Sequence, residues 1–148
     1  MSRRETTKRL TDAATRHYVK KRYAVFPEFG VGYRGERRLD LLCMNFKCNF
    51  IGIETKSCRQ DYTTDSKWRD YLPYTNKLYI LIPRELFESS FFERIQADTK
   101  PWGVGIMTDT DNGITVVQNA KSRPIEDKIM MKTLVKMAWR NGINRAKR

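Results

Sequence analysis

Residues that commonly build zinc sites and disulfides are scarce in this sequence. It contains one histidine, His17, and three cysteines, Cys43, Cys48 and Cys58, with no Cys-x-x-Cys pair. A structural zinc site needs four thiolate or imidazole ligands at suitable spacing, so such a site is excluded. The odd number of cysteines gives no disulfide framework, and we expect these thiols to be reduced and mostly buried.

Long apolar runs are missing as well. No segment approaches the roughly 20 apolar residues that span a bilayer, and the N-terminus MSRRETTKRL lacks the apolar block of a secretory signal. We therefore expect a cytoplasmic protein that does not bind membranes. A length of 148 residues, of which 40% are hydrophobic, predicts one folded domain over residues 1–148.

Negative charge is sparse at both ends of the chain. Residues 1–22 carry eight Lys or Arg and two acids, whereas residues 128–148 carry seven Lys or Arg and no acid. The formal net charge of +12 thus resides on two basic flanks around a nearly neutral middle. This distribution favours binding of a polyanion such as DNA, and basic helix faces that only aid solubility are the alternative.

Hydrophobic periodicity predicts a mixed α/β architecture. The apolar run KLYILI, closed by Pro83, is typical of a central strand covered on both faces, and RLDLLCM and NFIGIET predict a hairpin. In chain order the predicted elements are helix 5–22, extended segment 23–33, strands 38–44 and 49–55, helix 64–72, strand 77–82, short helix 85–95, strands 103–107 and 114–117, and helix 125–139. We expect a mixed β-sheet flanked by helices.

Charged residues interrupt the second strand of the predicted hairpin near its end. Alternate residues of a strand share a face, so Glu54 and Lys56 should point to one side while Ile51 and Ile53 point to the other. Burying either charge alone is expensive, so each needs a partner or water. A plain ion pair between Glu54 and Lys56 is one explanation, and a site for chemistry is the other.

Asp40 interrupts the first strand of the hairpin in the same way, and Leu39 and Leu41 are expected on the opposite face. Aspartate is disfavoured in strands, so its presence needs a reason. If the hairpin places Asp40 beside Glu54, the two carboxylates raise each other's pKa unless a cation lies between them. Hard oxygen ligands of this kind favour Mg²⁺ or Mn²⁺, and Lys56 would stabilise charge developing on a phosphate.

Two further aspartates, Asp61 and Asp65, follow at a spacing of four and are candidates for supporting the same site. If a helix begins just before Asp65, that residue instead lies in the first turn, where the helix dipole stabilises it. Lys67 and Arg69 are candidates for phosphate contacts. Trp68 fits a core anchor better than a base-stacking platform.

The spacing of these residues resembles a known nuclease core. Asp40, thirteen intervening residues and then Glu54-Thr55-Lys56 on the next strand is similar to the PD-(D/E)XK nuclease superfamily. The longer pattern RLDLLCM, followed by IGIETKSCRQDYTTDSKWRDYLPYTNKLYILIP, resembles the MmcB-like family, whose members are regarded as DNA-repair endonucleases. With GVGIMTDTDNGITVVQNA and the basic terminal helix, the resemblance covers most of the chain.

The resemblance implies a restriction-endonuclease-like mixed sheet with an α-β-β-β-α-β core. It also implies a divalent metal, Mg²⁺ or Mn²⁺, held by Asp40 and Glu54. In such sites the carbonyl of Thr55 is a further ligand, and Lys56 lies beside the attacking water.

The resemblance further implies hydrolysis of DNA phosphodiesters by a metal-dependent endonuclease. In many such nucleases a glutamate that follows the first helix joins the site; Glu28 is the candidate here, and Glu36 is the alternative. We expect the enzyme to be directed by DNA structure rather than base sequence, and a homodimer is compatible with the superfamily. A non-catalytic nucleic-acid-binding protein on the same scaffold and an RNA-cleaving enzyme are the alternatives. The basic residues expected to contact DNA are Lys20, Lys21, Arg38, Lys67 and Arg69.

Overall fold

The fold is described from a computed structural model, which covers residues 1–32, 35–65 and 67–142. Its elements, in chain order, are α1 (Arg3–Lys20), β1 (Ala24–Val31), β2 (Arg37–Met44), β3 (Phe50–Thr55), α2 (Arg59–Thr64), a 3₁₀ helix (Lys67–Tyr74), β4 (Lys77–Ile82), α3 (Arg84–Phe87), α4 (Phe92–Thr99), a 3₁₀ turn (Lys100–Trp102), β5 (Gly105–Thr110), β6 (Gly113–Gln118) and α5 (Asp127–Asn141). Tyr33, at the end of the predicted extended segment, and residues 143–148 of the basic C-terminal flank lie outside the described residues.

The strands form one six-stranded sheet in which each strand neighbours the next one in sequence. β1, β2 and β3 pair antiparallel, β3, β4 and β5 pair parallel, and β6 returns antiparallel to β5. Parallel neighbours need a crossover, and the helical segments between β3 and β4 and between β4 and β5 provide it. The predicted mixed α/β sheet flanked by helices is confirmed.

A separate apolar layer covers each face of the sheet. On one face α1 packs Leu10, Ala14 and Tyr18 against side chains of β2 to β5. On the other face Trp68 of the 3₁₀ helix and Met137 of α5 belong to a larger cluster. β4 contributes buried residues to both layers, so the prediction of a central strand covered on both faces is confirmed.

The first helix begins two residues earlier than predicted. Ser2 Oγ accepts a hydrogen bond from the Glu5 N–H, and the Glu5 carboxylate accepts one from the Ser2 N–H. This reciprocal pair is a capping box, which satisfies donors that a helix start otherwise leaves unpaired. The helix ends before Arg22, whose φ of 65° is left-handed and cannot continue it.

The predicted helix 64–72 is wrong in position and in type. Asp61 Oδ2 accepts hydrogen bonds from the Ser57 N–H and hydroxyl, and α2 therefore starts early, at Arg59. α2 ends at Thr64, and Asp65 Oδ1 accepts from the Lys67 N–H at the start of the separate 3₁₀ helix. Asp65 thus follows α2 and caps the start of the 3₁₀ helix, so its predicted position in the first turn of a helix is wrong, although a capping role is observed.

Two smaller expectations also fail. The predicted helix 85–95 is two helices, α3 and α4, separated at Ser89, whose hydroxyl bonds the Leu86 carbonyl at the end of α3. Of the cysteines only Cys43 is buried, whereas Cys48 is exposed and Cys58 half-buried, although all three are free thiols. No helix of the described residues has the length and apolar character to cross a bilayer.

Candidate active site

Asp40 and Glu54 lie where β2 and β3 cease to pair. The last pair in register is Leu41 with Ile53, and beyond it side chains replace the backbone ladder. The Asp40 N–H donates to Glu54 Oε1 at 3.0 Å, and the Thr55 N–H donates to Asp40 Oδ2 at 2.8 Å. Each carboxylate therefore accepts a hydrogen bond from the backbone of the other strand, and the two acids lie close together.

The strand alternation breaks at this point. Leu41 packs in the layer under α1, but Leu39 packs in the opposite layer, so the expectation that both share one face is wrong. β1 explains the change, because Glu28, opposite Asp40, has a left-handed φ of 47° and drops out of the ladder between the pairs at Pro27 and Phe29. A residue strained in this way twists the strands locally.

Burial and like charge act together on the two acids. Glu54 is only 5% exposed, and this burial, followed by the charge of Asp40, raises the pKa of Glu54 to about 8. Burial likewise raises the pKa of Asp40, with smaller contributions from the charges of Asp61 and Glu28. The Thr55 N–H and the Lys56 ammonium oppose the rise in the Asp40 pKa without cancelling it. A cation placed here would relieve the cost of ionising both groups.

Lys56 is the buried cation of the site. Its side chain is 4% exposed, its Nζ lies 3.2 Å from Asp65 Oδ2, and its backbone N–H donates to the Leu81 carbonyl of β4. The ion-pair alternative required a salt bridge between Lys56 and Glu54. Lys56 instead forms its salt bridge with Asp65. Lys56 nonetheless lies close enough for its charge to lower the pKa of both Asp40 and Glu54.

An open cleft of about 750 Å³ gives access to Asp40. We call it the α1 cleft, because the N-terminal half of α1 forms one wall and β1, β2 and the start of α2 form the other. Its charged lining residues are Arg3, Arg4, Lys8, Asp12, Glu28, Asp40 and Asp61. A basic wall thus faces an acidic one, which suits a phosphate held beside metal-binding carboxylates.

The structure places the two candidate glutamates differently. Glu28 lines the α1 cleft beside Asp40, where the sequence prediction requires it. Glu36 lies instead at the β1–β2 turn, where its carboxylate is against Gly32. Glu28 is therefore the better candidate of the two for a third acid at the site.

The donor set fits a divalent cation that keeps part of its coordination for water or substrate. Two carboxylates come together, and Thr55, whose N–H binds Asp40, has a buried hydroxyl with no hydrogen-bond partner among the described residues. A buried hydroxyl without a protein partner needs a bound water or ion to satisfy it. Within residues 1–32, 35–65 and 67–142 no group of three or more His, Cys, Asp or Glu side chains is placed to hold a metal ion, so any ion here would have at most two of these side chains as ligands. Mg²⁺ commonly binds through one or two carboxylates and completes its shell with water and phosphate.

The five predicted DNA contacts are spread over the molecule. Lys20 and Lys21 lie at the far end of α1, about 25 Å along the helix axis from the cleft residues Arg3 and Arg4. Arg38 is exposed two residues before Asp40. Lys67 and Arg69 are both exposed on the 3₁₀ helix. Arg69 stacks on the rings of Trp68 and Trp102. Of the basic residues in the N-terminal flank, only Arg3, Arg4 and Lys8 line the cleft with Asp40, and nothing in the sequence distinguishes them from the rest of the flank.

Tyr71 is a residue of the site that the sequence did not single out. Its hydroxyl donates to the Arg38 carbonyl at 2.7 Å and so fixes β2 two residues before Asp40. Burial raises the Tyr71 pKa, and the charges of Glu54, Asp65 and Asp40 raise it further, which places the phenol among these acids. Trp68, three residues earlier, is 3% exposed, and the prediction of a core anchor is confirmed.

The mixed sheet, with its acids and lysine at the ends of β2 and β3, is consistent with a nuclease-like scaffold. The family model described as "DNA repair protein MmcB-like" matches residues 1–129, and the chain belongs to this MmcB-like family. The predicted resemblance is thereby confirmed, and the family links the chain to a DNA-related role.

Comparison with solved structures agrees on the fold. The SPO1766 protein of unknown function from Silicibacter pomeroyi aligns with a TM-score of 0.73 and 22% identity, over 90% of this chain and 84% of that one. SfsA of Pyrococcus furiosus, solved in complex with Ca²⁺, aligns with a TM-score of only 0.36 and 14% identity, over 67% of this chain and 54% of that one, which is too weak for any argument. No curated protein sequence matches the chain.

We expect the metal-free protein to lose stability as the pH rises. Because the folded-state pKa of Glu54 is raised from 4.5 to about 8, its contribution to stability is full below pH 4.5 and is lost as the pH rises through 8. In EDTA the melting temperature should fall by roughly 5 °C between pH 6 and 9. Millimolar Mg²⁺ should reverse most of that fall, because the ion favours the ionised carboxylates.

Thermal melts of wild type and Glu54→Gln across this pH range test the expectation. The glutamine cannot ionise, so the Glu54→Gln curve should be flatter in EDTA and should respond little to Mg²⁺. A wild-type melting temperature that stays level to pH 9 without metal, or a Mg²⁺ effect equal in both proteins, would contradict it.

Proposed function

We propose that the chain is a Mg²⁺- or Mn²⁺-dependent endonuclease that hydrolyses DNA phosphodiester bonds in the cytoplasm, in DNA repair, recombination or nucleic-acid processing. The observation that carries this proposal is the interlocked pair Asp40 and Glu54 with the buried Lys56 beside it. Membership of the MmcB-like family supports DNA as the substrate.

The residues of the site divide the work of hydrolysis among them. Asp40, Glu54 and the Thr55 carbonyl would hold the metal ion, which when bound would activate water and offset negative charge on the phosphate. Lys56 would donate to the attacking water or to a phosphate oxygen and stabilise the charge that develops there. Asp65 holds the Lys56 ammonium at 3.2 Å and so limits its movement.

The acids near Asp40 have supporting roles. Glu28 faces the α1 cleft and would accept a proton or orient water beside Asp40. Asp61 is bound to the Ser57 N–H and hydroxyl, so it fixes the start of α2 next to the site. The basic wall of the cleft would hold the phosphate backbone without reading bases, which favours recognition of DNA structure over sequence.

The proposal is tested by incubating the protein with supercoiled plasmid and with branched DNA in Mg²⁺, in Mn²⁺ or in EDTA. Cutting is expected with either metal and none in EDTA. If DNA is retarded on a gel but never cut under any metal, the protein is a non-catalytic nucleic-acid-binding protein on a nuclease-like scaffold. Faster cleavage of RNA than of DNA of the same shape would assign the activity to RNA.

The two ends of α1 should contribute unequally to DNA binding. Replacing Arg3 and Arg4 together by alanine removes two charges from the α1 cleft, whereas Lys20 and Lys21 offer a matched pair at the other end of the same helix. We expect the first double variant to bind plasmid-derived duplex about tenfold more weakly and to lower the slope of log K against log salt by about 2. Fluorescence anisotropy over a range of salt concentrations measures both quantities.

The Lys20 and Lys21 double variant should bind within about twofold of wild type at the same salt. Equal losses for the two variants would mean that DNA follows the whole helix and not the cleft. Thermal melts of both variants check that the Ser2 capping box, next to Arg3, is intact.

A further inference from the structure

Arg69 of the 3₁₀ helix and Trp102 of the 3₁₀ turn form an aromatic and basic surface outside the α1 cleft. Arg69 stacks between two indoles, with its guanidinium carbon 4.6 Å from the ring centroid of Trp68 and 5.2 Å from that of Trp102. Trp68 is 3% exposed and fixes the inner end of this stack in the core. Trp102, at the outer end, remains 46% exposed although Arg69 lies against it.

The backbone around Trp102 is rigidly held. Gly103 follows it with a left-handed φ of 67°, and the Gly103 N–H closes the turn on the Lys100 carbonyl at 3.1 Å. Arg123 donates to the Trp102 carbonyl at 2.6 Å, and the Lys121 N–H donates to the Gly103 carbonyl at 2.8 Å. The indole is therefore presented from a fixed position.

Positive charge surrounds the exposed indole. The Lys121 and Arg123 side chains lie against Gly103, where any added Cβ would meet them, and Lys100 is exposed on the turn itself. Two neighbouring acids are already engaged, since Asp70 pairs with Arg37 at 2.6 Å and Asp98 accepts from Tyr62 at 2.9 Å. A third acid, Glu126, is exposed three residues after Arg123. We call this surface the Trp102 patch; its residues are Arg69, Lys100, Trp102, Lys121 and Arg123.

An exposed indole among cations is the combination that binds unpaired nucleotides. A base stacks on the aromatic face, and neighbouring Lys and Arg hold the phosphates on either side of it. The bases of an intact duplex are already stacked on one another and cannot reach such a ring. We infer that the Trp102 patch binds an unpaired segment of DNA by stacking a base on Trp102.

The position of the patch relates it to the candidate active site. Arg69 and Tyr71 are two residues apart on the 3₁₀ helix, and the Tyr71 hydroxyl lies among the site acids. The 3₁₀ helix therefore links the Trp102 patch to the candidate active site. The inference rests on the proposed function for the identity of the ligand, DNA, but needs no cleavage.

Binding in EDTA tests the inference without any chemistry. A fluorescein-labelled oligo-dT of about 15 nucleotides and a blunt duplex of similar length are titrated with full-length protein. Trp102→Ala should weaken oligo-dT binding about tenfold and change duplex binding less than about twofold. Arg69→Lys, which keeps the charge but loses the planar stack, should weaken oligo-dT binding by a smaller factor. Trp139→Ala is the matched comparison, because Trp139 is 55% exposed beside Arg140 on α5. It should leave oligo-dT affinity unchanged if Trp102 is the stacking residue, and a loss equal to that of Trp102→Ala would overturn the inference.

Intrinsic fluorescence gives a second measurement that does not depend on an alanine variant folding. Oligo-dT should quench the emission of Trp139→Phe, in which Trp102 remains, and should leave that of Trp102→Phe nearly unchanged. Unaltered oligo-dT affinity in folded Trp102→Ala, equal losses on oligo-dT and duplex, or no quenching in Trp139→Phe would overturn the inference. No oligo-dT binding by the wild type would also overturn it and leave the patch to a protein partner. Failure of metal-dependent cutting would refute only the proposed function, since all these measurements are made in EDTA.

Discussion

Glu54→Gln is expected to lower metal-dependent DNA cleavage by at least about a thousandfold, because it removes one of the two carboxylates that would hold the metal. The glutamine keeps nearly the same shape, and its side-chain oxygen can still accept the Asp40 N–H that Glu54 Oε1 accepts at 3.0 Å. The fold should therefore survive, and the loss should lie in the chemical step. Single-turnover rates on supercoiled plasmid at saturating Mg²⁺ measure it.

DNA binding by Glu54→Gln should be retained, or tightened, since a negative charge near the phosphate is lost. Asp40→Asn should behave alike, because its carboxylate shares the same position. The control is Glu93→Gln, an equal change in an exposed acid on α4, which should cut at the wild-type rate. Cleavage retained by Glu54→Gln would remove the proposed metal site from consideration.

The hairpin that joins Asp40 and Glu54 could be predicted from the sequence because its determinants are local. Two apolar runs joined by a short polar segment can pair in few ways, and strand alternation then decides which residues share a face. The prediction held for the neighbourhood of the two acids. It failed for Leu39, because the twist that reverses this residue originates in Glu28 on a third strand.

Features that depend on contacts between distant segments could not be predicted. Lys56 was expected beside Glu54, yet its salt bridge goes to Asp65, whose position depends on where α2 ends. The start of α2 is fixed by Ser57 and Asp61, and α2 begins five residues before the predicted helix, which changes the side chains that meet.

The Trp102 patch also depends on contacts between distant segments and could not be predicted from the sequence. Arg69 and Trp102 are separated by more than thirty residues, and only the crossover between β4 and β5 brings them together. Trp68, the tryptophan considered for stacking from the sequence, is buried, and no local pattern indicates that its neighbour Arg69 meets a second, exposed tryptophan.

Lys56→Met is expected to reduce the single-turnover cleavage rate by about 10² to 10³, the range found when one group that stabilises transition-state charge is removed. Methionine fills much of the space of the lysine stem, which is 4% exposed, so the packing should persist. Asp65 loses its partner, but its side chain is 47% exposed and water can solvate it, so the cost in stability should stay within about 1 kcal/mol.

Metal and DNA affinity separate a chemical role of Lys56 from a structural one. If Lys56 acts on the attacking water or the phosphate, the Mg²⁺ concentration for half-maximal rate and the anisotropy titration with DNA should both remain close to wild type. Asp65→Asn keeps the ammonium but removes its ion pair, so its rate should fall by less than that of Lys56→Met. A loss that is fully restored by more Mg²⁺ would show that the lysine only maintains the geometry of the two acids. A Lys56→Met variant that cuts at the wild-type rate would show that the lysine has no role in cleavage.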